Sequence, residues 1–213
     1  MLAARFLTLS AVALTCGGCA FGNQHGYHDI EVPLTYGGSA RIAVATYDQR
    51  TYVRAGDKSG DFVGVQRAGF GNPFDVRTES GYDLAYDFTL STCATLKARG
   101  YQVSPVAVEP GDTPEEVLAK LGAARGERSV ILAIREWRSD TYSRTGLAYS
   151  VTLKVLDQSF AVLGEARLEG EDDLGGSAWN PPAHAREAVR DAFARKLQWL
   201  LSHPSVVRAL ATR

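Results

Sequence analysis

The hydrophobic pattern begins with a short apolar segment near the N-terminus. Arg5 is followed by an uncharged, mostly apolar run over residues 6–15 and then by small residues. A basic residue, a short apolar run and small residues are the pattern of a secretory signal peptide. Because a membrane-spanning helix needs ~20 apolar residues, we interpret this run as a removable signal over residues 1–18.

Further along the chain, alternating or compact apolar runs predict β-strands. Pro33 places the first of them at a sheet edge. The clearest alternation is followed by a short turn and a second run, which predicts an antiparallel hairpin. The predicted strands cover residues 30–34, 41–45, 101–106 and 129–137, and the hairpin covers residues 147–155 and 161–169.

Helical spacing recurs between these runs. Thr113, Pro114 and Glu116 give the pattern of a capping box with proline in the first turn, so a helix is predicted to begin there. Apolar residues at helical spacing also predict a helix from residue 82 to Gly100 and a long helix over residues 183–202. One further short helix is expected over residues 205–210.

Residues 48–80 are rich in glycine and predict a long loop with a short strand over residues 62–65. Long ordered loops are often functional. Phe62, Phe70 and Phe74 could form an exposed docking patch for a partner. The alternative is that these aromatic residues pin the loop onto the core.

This order of elements predicts a single α+β (mixed α/β) domain over residues 30–213. We expect a mixed, mostly antiparallel sheet with helices packed on one face. Residues 19–29 are rich in glycine and polar groups and are expected to form a flexible tether.

The succession of elements resembles the YajG-like outer-membrane lipoproteins and, more loosely, the amino-terminal domain of TolB. The similar pieces are ARIAVATYDQR, LSTCATLKARGYQV, SVTLKVLDQSFAVLGEARLEG and REAVRDAFARKLQWLL, within residues 38–203. The resemblance implies a non-catalytic envelope protein with a small mixed sheet. It transfers no functional residues.

The small-residue segment before the tether reads Thr-Cys-Gly-Gly-Cys-Ala over residues 15–20. It resembles the lipobox of bacterial lipoproteins, which implies cleavage before Cys19 and its acylation, with palmitate among the chains. Cys16 is the rival cysteine, and it also stands where the lipobox usually has leucine. Ala20, in place of aspartate, implies the outer membrane, with the domain facing the periplasm. The alternative is an ordinary signal peptide with incidental cysteines.

Composition narrows the function further. The chain has 23 basic and 24 acidic side chains, and loss of Arg5 makes the mature net charge −2. The charged residues form no long run of one sign, so the sequence does not indicate a nucleic-acid partner. Once Cys19 is acylated, Cys93 is the only thiol, so no intramolecular disulfide is expected.

Candidate reactive groups each have a structural alternative. Cys93 falls in line with buried helix positions and is expected to be a buried apolar residue. The His25–His28 pair has metal-binding spacing, but it is expected to be a solvated linker. The acidic cluster of residues 171–173 is expected to be a solvated turn, although hard cations favour such groups. Phe74 replaces the third glycine of a dinucleotide loop, which excludes that motif.

Charged side chains offer no catalytic pattern. Asp48, Arg50 and Arg67 could line a pocket, but surface positions are favoured. Trp137, Tyr142 and Trp179 lie near strand or loop ends and are expected to be half-buried. We therefore predict no catalytic residues, metal or cofactor.

The sequence indicates a lipid-anchored envelope component that acts by binding a protein or polymer. The alternatives are an auxiliary subunit of a transport or secretion complex and, less favoured, a cell-wall hydrolase using Asp48 or Asp140.

Overall fold

The computed structural model describes residues 23–211, and a mixed eight-stranded sheet forms the centre of this region. Cys16, Cys19 and the predicted signal segment lie outside the described residues. The strands are β1 Gln24–His25, β2 Arg41–Asp48, β3 Phe62–Arg67, β4 Pro73–Thr78, β5 Gln102–Val106, β6 Arg128–Thr141, β7 Arg144–Leu156 and β8 Val162–Gly176. The helices are α1 Thr51–Arg54, α2 Leu84–Lys97, α3 Pro114–Ala123, α4 Pro181–Ser202 and α5 Pro204–Ala211.

The long strand β6 organises the sheet. On one side it pairs in parallel with β2 and, further along, with β3, and on the other side it pairs antiparallel with β7. The pairs β1–β4 and β2–β5 are also parallel, whereas β3–β4 and β7–β8 are antiparallel. The predicted mixed sheet is confirmed, but the sheet is not mostly antiparallel, since four of the seven strand pairings among the described residues are parallel. Helical crossovers after β2 and β5 bring those strands into parallel register.

Helices cover both faces of the sheet, so the prediction of helices on one face is also wrong. On the inner face, Ile42 and Val44 of β2 pack in the main core with α2, α4 and α5. On the outer face, Ala43 and Ala45 pack against Val117 of α3. The physical reason is that β2 has apolar residues at consecutive positions, and successive side chains point to opposite faces.

Aromatic side chains fill the inner face. The Trp137 ring centroid lies 5.2 Å from that of Phe88 and 5.7 Å from that of Phe193, both edge to face. Its indole Nε1 donates a hydrogen bond to the hydroxyl of Tyr27 (3.2 Å). Trp137 is fully buried rather than half-buried, because a bulge between Ile134 and Glu136 turns it inward.

Residues 23–29 belong to the domain, which corrects the predicted tether. β1 pairs with β4, and His25 and Tyr27 have no solvent exposure. The reason is that Tyr27 supplies a ring to the inner-face core. The next segment, residues 30–34, buries alternate side chains as expected, but it is not a strand. Its Val32 amide donates instead to the hydroxyl of Thr95 in α2 (3.1 Å).

Residues 48–80 form α1 and the β3–β4 hairpin, which corrects the prediction of a long loop. The short strand expected over residues 62–65 is confirmed and extends to Arg67. A Cβ at Gly64 would lie 2.1 Å from the hydroxyl of Ser139. Glycine is therefore needed where β3 crosses closely against β6.

The predicted helices agree with α2, α3, α4 and α5. The capping box is confirmed, since the Thr113 hydroxyl accepts from the Glu116 amide (3.2 Å) and the Glu116 carboxylate accepts from the Thr113 amide (2.8 Å). Among the described residues, none of the helices combines the length and the apolar character needed to cross a bilayer.

Candidate binding groove

The three phenylalanines of the predicted docking patch do not share a surface. Phe62 is buried, with its ring edge-on to Tyr52 at 5.6 Å between centroids. Phe74 is half-buried in β4, whereas Phe70 at the hairpin tip is 98% exposed. The prediction that Phe62 belongs to an exposed docking patch is therefore wrong, because β3 turns that side chain into the protein. Of the other two, only Phe70 stands free in solvent among the described residues.

Asp48 and Arg50 form a buried ion pair, which corrects the expectation of surface charges. Arg50 donates from Nε and Nη2 to the two carboxylate oxygens of Asp48 (3.0 and 2.7 Å). It also donates to the carbonyl oxygens of Gly60 (2.9 Å) and Phe62 (2.5 Å). Burial by itself lowers the pKa of Arg50, but the hydrogen bonds and charge of Asp48 outweigh it and raise that pKa. The pair fastens the segment before β3 to the end of β2.

The second predicted catalytic carboxylate, Asp140, also binds an arginine. Arg67 donates to both of its oxygens (2.8 and 2.5 Å) at the surface, where Arg67 was expected. This pair joins β3 to β6. Both carboxylates named for a hydrolase are thus held by guanidinium groups.

Cys93 is buried in α2, as predicted, and burial raises the pKa of its thiol to about 12. His25 is not part of a solvated linker. Burial and the nearby charge of Arg186 lower its pKa to about 4, and its Nε2 lies 3.2 Å from the hydroxyl of Ser139. His28 is partly buried. Within residues 23–211, no three histidine, cysteine or acidic side chains are grouped as metal ligands.

The acidic residues 171–173 lie within β8 rather than in a turn, because the β7–β8 ladder continues to Gly176. The carboxylate of Asp172 accepts from Lys196 of α4 (2.5 Å) and from the hydroxyl of Tyr149 (3.1 Å). Asp173 pairs with Arg144 across the ladder (2.5 Å). These groups serve as strand and helix contacts.

The most suitable binding site is a groove on the outer face of the sheet. α3 covers β2 but leaves the neighbouring outer face of β6, β7 and β8 open. The resulting cavity has a volume of about 370 Å³, within the range of small-molecule sites. Its apolar lining comes from the sheet, from α3 and from the β7–β8 turn, and includes Val117, Leu118, Ile131, Ala133, Leu156, Phe160 and Val162.

Small residues allow α3 to lie against the sheet and form one wall. Ala43 and Ala45 leave room for Val117 and Leu121 of the helix, both of which are buried. Leu118, the residue after Val117, is only partly buried and faces the groove. The small residues of β2 therefore let α3 pack closely on the sheet, with Leu118 in the wall of the groove.

The β7–β8 turn closes one end of the groove. Phe160 has a φ of 64°, a left-handed conformation that is strained for a bulky residue. The carboxylate of Asp157 supports the turn by accepting from the amides of Ser159 (2.8 Å) and Ala161 (2.9 Å). The ring of Phe160 lies close to Gly122 of α3, where a Cβ would be 3.3 Å from its Cζ. The β7–β8 hairpin and α3 are therefore in contact where the Phe160 ring packs on Gly122.

Basic side chains surround this apolar floor. Lys154 pairs loosely with Glu165 (3.7 Å), and Arg167 pairs with Glu169 (2.5 Å). Arg135 donates to the hydroxyl of Thr152 (3.1 Å), and it has no acidic partner among residues 23–211. Three basic residues and one acidic residue line the groove, so its rim is positive.

The sequence patterns did not reveal this site. Its residues come from four strands, one helix and one turn, and each follows an ordinary strand or helix pattern. Arg135, which comes two residues before Trp137 near the end of a predicted strand, gave no signal by itself. Only the pairing of β6 with β7, and of β7 with β8, places these side chains together.

The chain matches no protein-family model and no curated protein sequence. Among solved structures, it is similar to a Xanthomonas campestris protein assigned to the family model DUF330, with 12% identity, coverage of 80% of this chain and 89% of that chain, and a TM-score of 0.47. It is also similar to PelC from Paraburkholderia phytofirmans, solved as a dodecamer, with 18% identity, coverage of 79% and 93%, and a TM-score of 0.37. For lipoprotein GNA1162 from Neisseria meningitidis, the identity is 10%, the coverage 74% and 99%, and the TM-score 0.28. At these values the likeness assigns neither family nor function, and the resemblance to the YajG-like lipoproteins stays a prediction.

Proposed function

We propose that this protein is a lipid-anchored, non-catalytic component of the bacterial cell envelope. In this proposal, Cys19 carries the acyl chains at the outer membrane, and the domain faces the periplasm. The support is the lipobox-like segment at residues 15–20, which ends three residues before Asn23, a buried residue at the start of the described part of the chain. More than one acyl chain gives durable attachment, since each buried CH₂ contributes ~0.8 kcal/mol.

We infer that the domain works by holding a ligand with an apolar chain and an anionic head in the outer-face groove. The observation that carries this proposal is Arg135, a guanidinium without an acidic partner among the described residues, beside an apolar floor. A carboxylate or phosphate there would accept charge-assisted hydrogen bonds from Arg135. The acyl chain would lie over Ile131 and Ala133 toward Leu118.

An acyl chain suits this groove better than a peptide does. The floor strands β6 and β7 are each paired on both sides, so their backbone groups are already hydrogen-bonded. A peptide in the groove would therefore leave its own amide and carbonyl groups without backbone partners. A hydrocarbon chain has no such groups.

The side chains in the groove support binding rather than a reaction. Its charged lining residues are Arg135, Lys154, Glu165 and Arg167. A single carboxylate beside lysine, without a histidine or cysteine in the lining, lacks the nucleophile–base pair of covalent catalysis. It also lacks the second carboxylate of the common glycosidases.

Metabolic labelling with an alkyne analogue of palmitate tests the anchor. We expect label on the wild-type protein and on the Cys16→Ser variant, and none on Cys19→Ser. Intact mass of the protein extracted from membranes should give a chain beginning at residue 19 with acyl mass added. Equal label on the wild type and Cys19→Ser would refute the anchor.

Calorimetric titration with dodecanoate tests the groove, using the Cys19→Ser chain without its signal segment so that no detergent is needed. We expect saturable binding of dodecanoate that is weakened about 10-fold by Arg135→Gln, as loss of a charged hydrogen bond implies. Arg138→Gln is the matched control, since Arg138 is exposed on the same strand and does not line the groove. Absence of saturable binding, or equal weakening by both variants, would contradict the proposal.

A further inference from the structure

Three loops meet at the end of the sheet farthest from the β7–β8 turn. The strand registers place Gln66 beside Thr141, Thr141 beside Thr145, and Arg144 beside Gly176. The strand ends are therefore aligned, and three connections extend from this end of the sheet: the β3–β4 turn, the β6–β7 turn and the β8–α4 connection. These three loops cover residues 68–72, 142–143 and 177–180.

Each of these loops presents an aromatic side chain to solvent. Phe70 and Trp179 are each 98% exposed, and Tyr142 is 50% exposed. The hydroxyl of Tyr142 donates to the carbonyl of Gly69 (3.2 Å), which ties two of the loops together. The hollow between the loops is lined largely by small and apolar residues, including Ala68, Ala178, Pro181 and Pro182. This group of loops is called the aromatic end below.

The chain enters the domain beside the aromatic end. β1 runs parallel to β4, with Gln24 beside Arg77 and His25 beside Thr78. Because the two strands are parallel, the beginning of β1 points toward the beginning of β4, where the tip of the β3–β4 hairpin lies. Asn23 also donates to the side-chain oxygen of Gln66 (3.5 Å), which lines the hollow of the aromatic end.

Chain length limits how far the aromatic end can stand from an anchored bilayer. Cys19 is four residues before Asn23, and four residues reach at most ~14 Å when fully extended. This step rests on the proposed acylation of Cys19. If that residue is acylated, the bilayer surface lies within that reach of Asn23 and so faces the aromatic end.

We propose that Phe70, Tyr142 and Trp179 rest in the headgroup region of the bilayer that holds the lipid anchor. Tyr142 and Trp179 have rings with a polar group, which are favoured at this level of a membrane, and Phe70 adds an apolar ring beside them. The charges just behind the tips are paired, Arg67 with Asp140 and Arg144 with Asp173. The contact therefore relies on aromatic side chains and does not require anionic lipid.

This contact fixes the direction of the groove. β7 is 13 residues long and runs from the aromatic end to the groove, a length of about 40 Å at the usual rise per residue. The far end of the groove is then held well away from the membrane surface. A domain standing on its aromatic end presents that part of the groove to the periplasm.

Tryptophan quenching in vesicles tests the proposal with a matched pair of residues. Trp179 precedes α4, and Trp199, which is 45% exposed, lies 18 residues beyond the first residue of α4, or about 27 Å along the helix. Acylated protein is reconstituted into phosphatidylcholine vesicles that contain lipid with a nitroxide near the headgroup. We expect Trp199→Phe to keep the quenching seen in the wild type and Trp179→Phe to lose it.

A second arm separates this contact from the anchor. The Cys19→Ser chain, with a hexahistidine tag in place of residues 1–18, is held on phosphatidylcholine vesicles that contain nickel-chelating lipid. Quenching of Trp179 in this arm supports the aromatic contact even where mass analysis of the natural protein finds no acyl group. Quenching that Trp199→Phe removes, or none in either arm, would overturn the proposal.

Discussion

The two faces of the central sheet differ in how completely they are covered. The inner face is closed by α2, α4 and α5 and packed with the rings of Tyr27, Phe88, Trp137 and Phe193. The outer face has small residues under α3 and an open groove over β6, β7 and β8. Because hydrophobic stabilisation scales with apolar area removed from water, the inner face carries most of the stability. The outer face contributes less to stability and can therefore carry a binding site.

The largest difference between the faces should come from the central ring of the inner face. Trp137→Ala removes a fully buried side chain and its hydrogen bond to Tyr27. We expect it to lower the free energy of unfolding by about 4 kcal/mol, the usual cost of deleting a buried aromatic residue. Denaturant unfolding measures this change. Trp199→Ala, at a half-exposed position, should cost much less; similar losses would contradict the assignment of the core.

The buried ion pair on the inner face should give the next largest effect. Arg50→Leu leaves the Asp48 carboxylate buried without its partner. We expect a loss of about 3 kcal/mol, in the range found for breaking a buried pair. The matched control is Arg67→Leu, whose pair with Asp140 is exposed to solvent and should contribute much less to stability. Equal effects of the two variants in urea titrations would show that burial does not separate these pairs.

His25 makes the inner face sensitive to acid. Burial, together with the charge of Arg186, lowers its pKa from 6.5 to about 4 in the folded protein. Between these values the unfolded chain binds a proton that the folded chain does not, so the free energy of unfolding falls as pH falls. Above pH 6.5 His25 is neutral in both the folded and the unfolded state, so it no longer makes the free energy of unfolding depend on pH. The largest contribution is about 3 kcal/mol, at 1.36 kcal/mol per pKa unit.

Asp87 opposes this effect, so the test compares two chains. Burial raises its pKa to about 6, and acid below that value favours the folded state at this residue. We expect the stability of the wild type relative to His25→Gln to fall by about 3 kcal/mol from pH 7 to pH 4. Unfolding curves at several pH values measure this difference. A difference that is independent of pH would mean that His25 is charged alike in both states.

The smallest expected change is on the outer face. Ile131 and Leu132 are neighbours in β6, but Ile131 is half-buried at the groove and Leu132 is fully buried inside. We expect Ile131→Ala to cost about 1 kcal/mol and Leu132→Ala to cost about 3 kcal/mol. Thermal and denaturant unfolding of both variants would check this order. A reversed order would mean that the groove face carries the stability.

Local sequence signals predicted the elements better than their arrangement. The capping box at Thr113 and the alternation along β7 depend on neighbouring residues, and both are confirmed. The parallel pairing of β2 with β6 depends on contacts between residues far apart in the chain, and the sequence pattern missed it. The burial of Asp48 and Arg50 was missed for the same reason, since charge spacing does not indicate whether a third segment covers the pair.

The candidate site was less predictable than the fold. The sequence pattern offered the same two alternatives for all three phenylalanines, a docking patch or a loop pinned onto the core, and it did not separate the exposed Phe70 from the buried Phe62. Arg135 becomes distinctive only once the fold places it beside the apolar floor of the groove, without an acidic partner among residues 23–211. Such a site arises where one face of a sheet is left uncovered, and that depends on where α3 packs.

Chemical-shift mapping of the dodecanoate complex tests the central claim most directly. In the Cys19→Ser chain without residues 1–18, we expect the methyl signals of Leu118 and Ile131 to shift in proportion to bound ligand. The methyl signals of Leu132 and Val151, on the inner face, should stay unchanged. Shifts confined to inner-face methyls, or none at saturating dodecanoate, would contradict the assignment of the outer-face groove as the binding site.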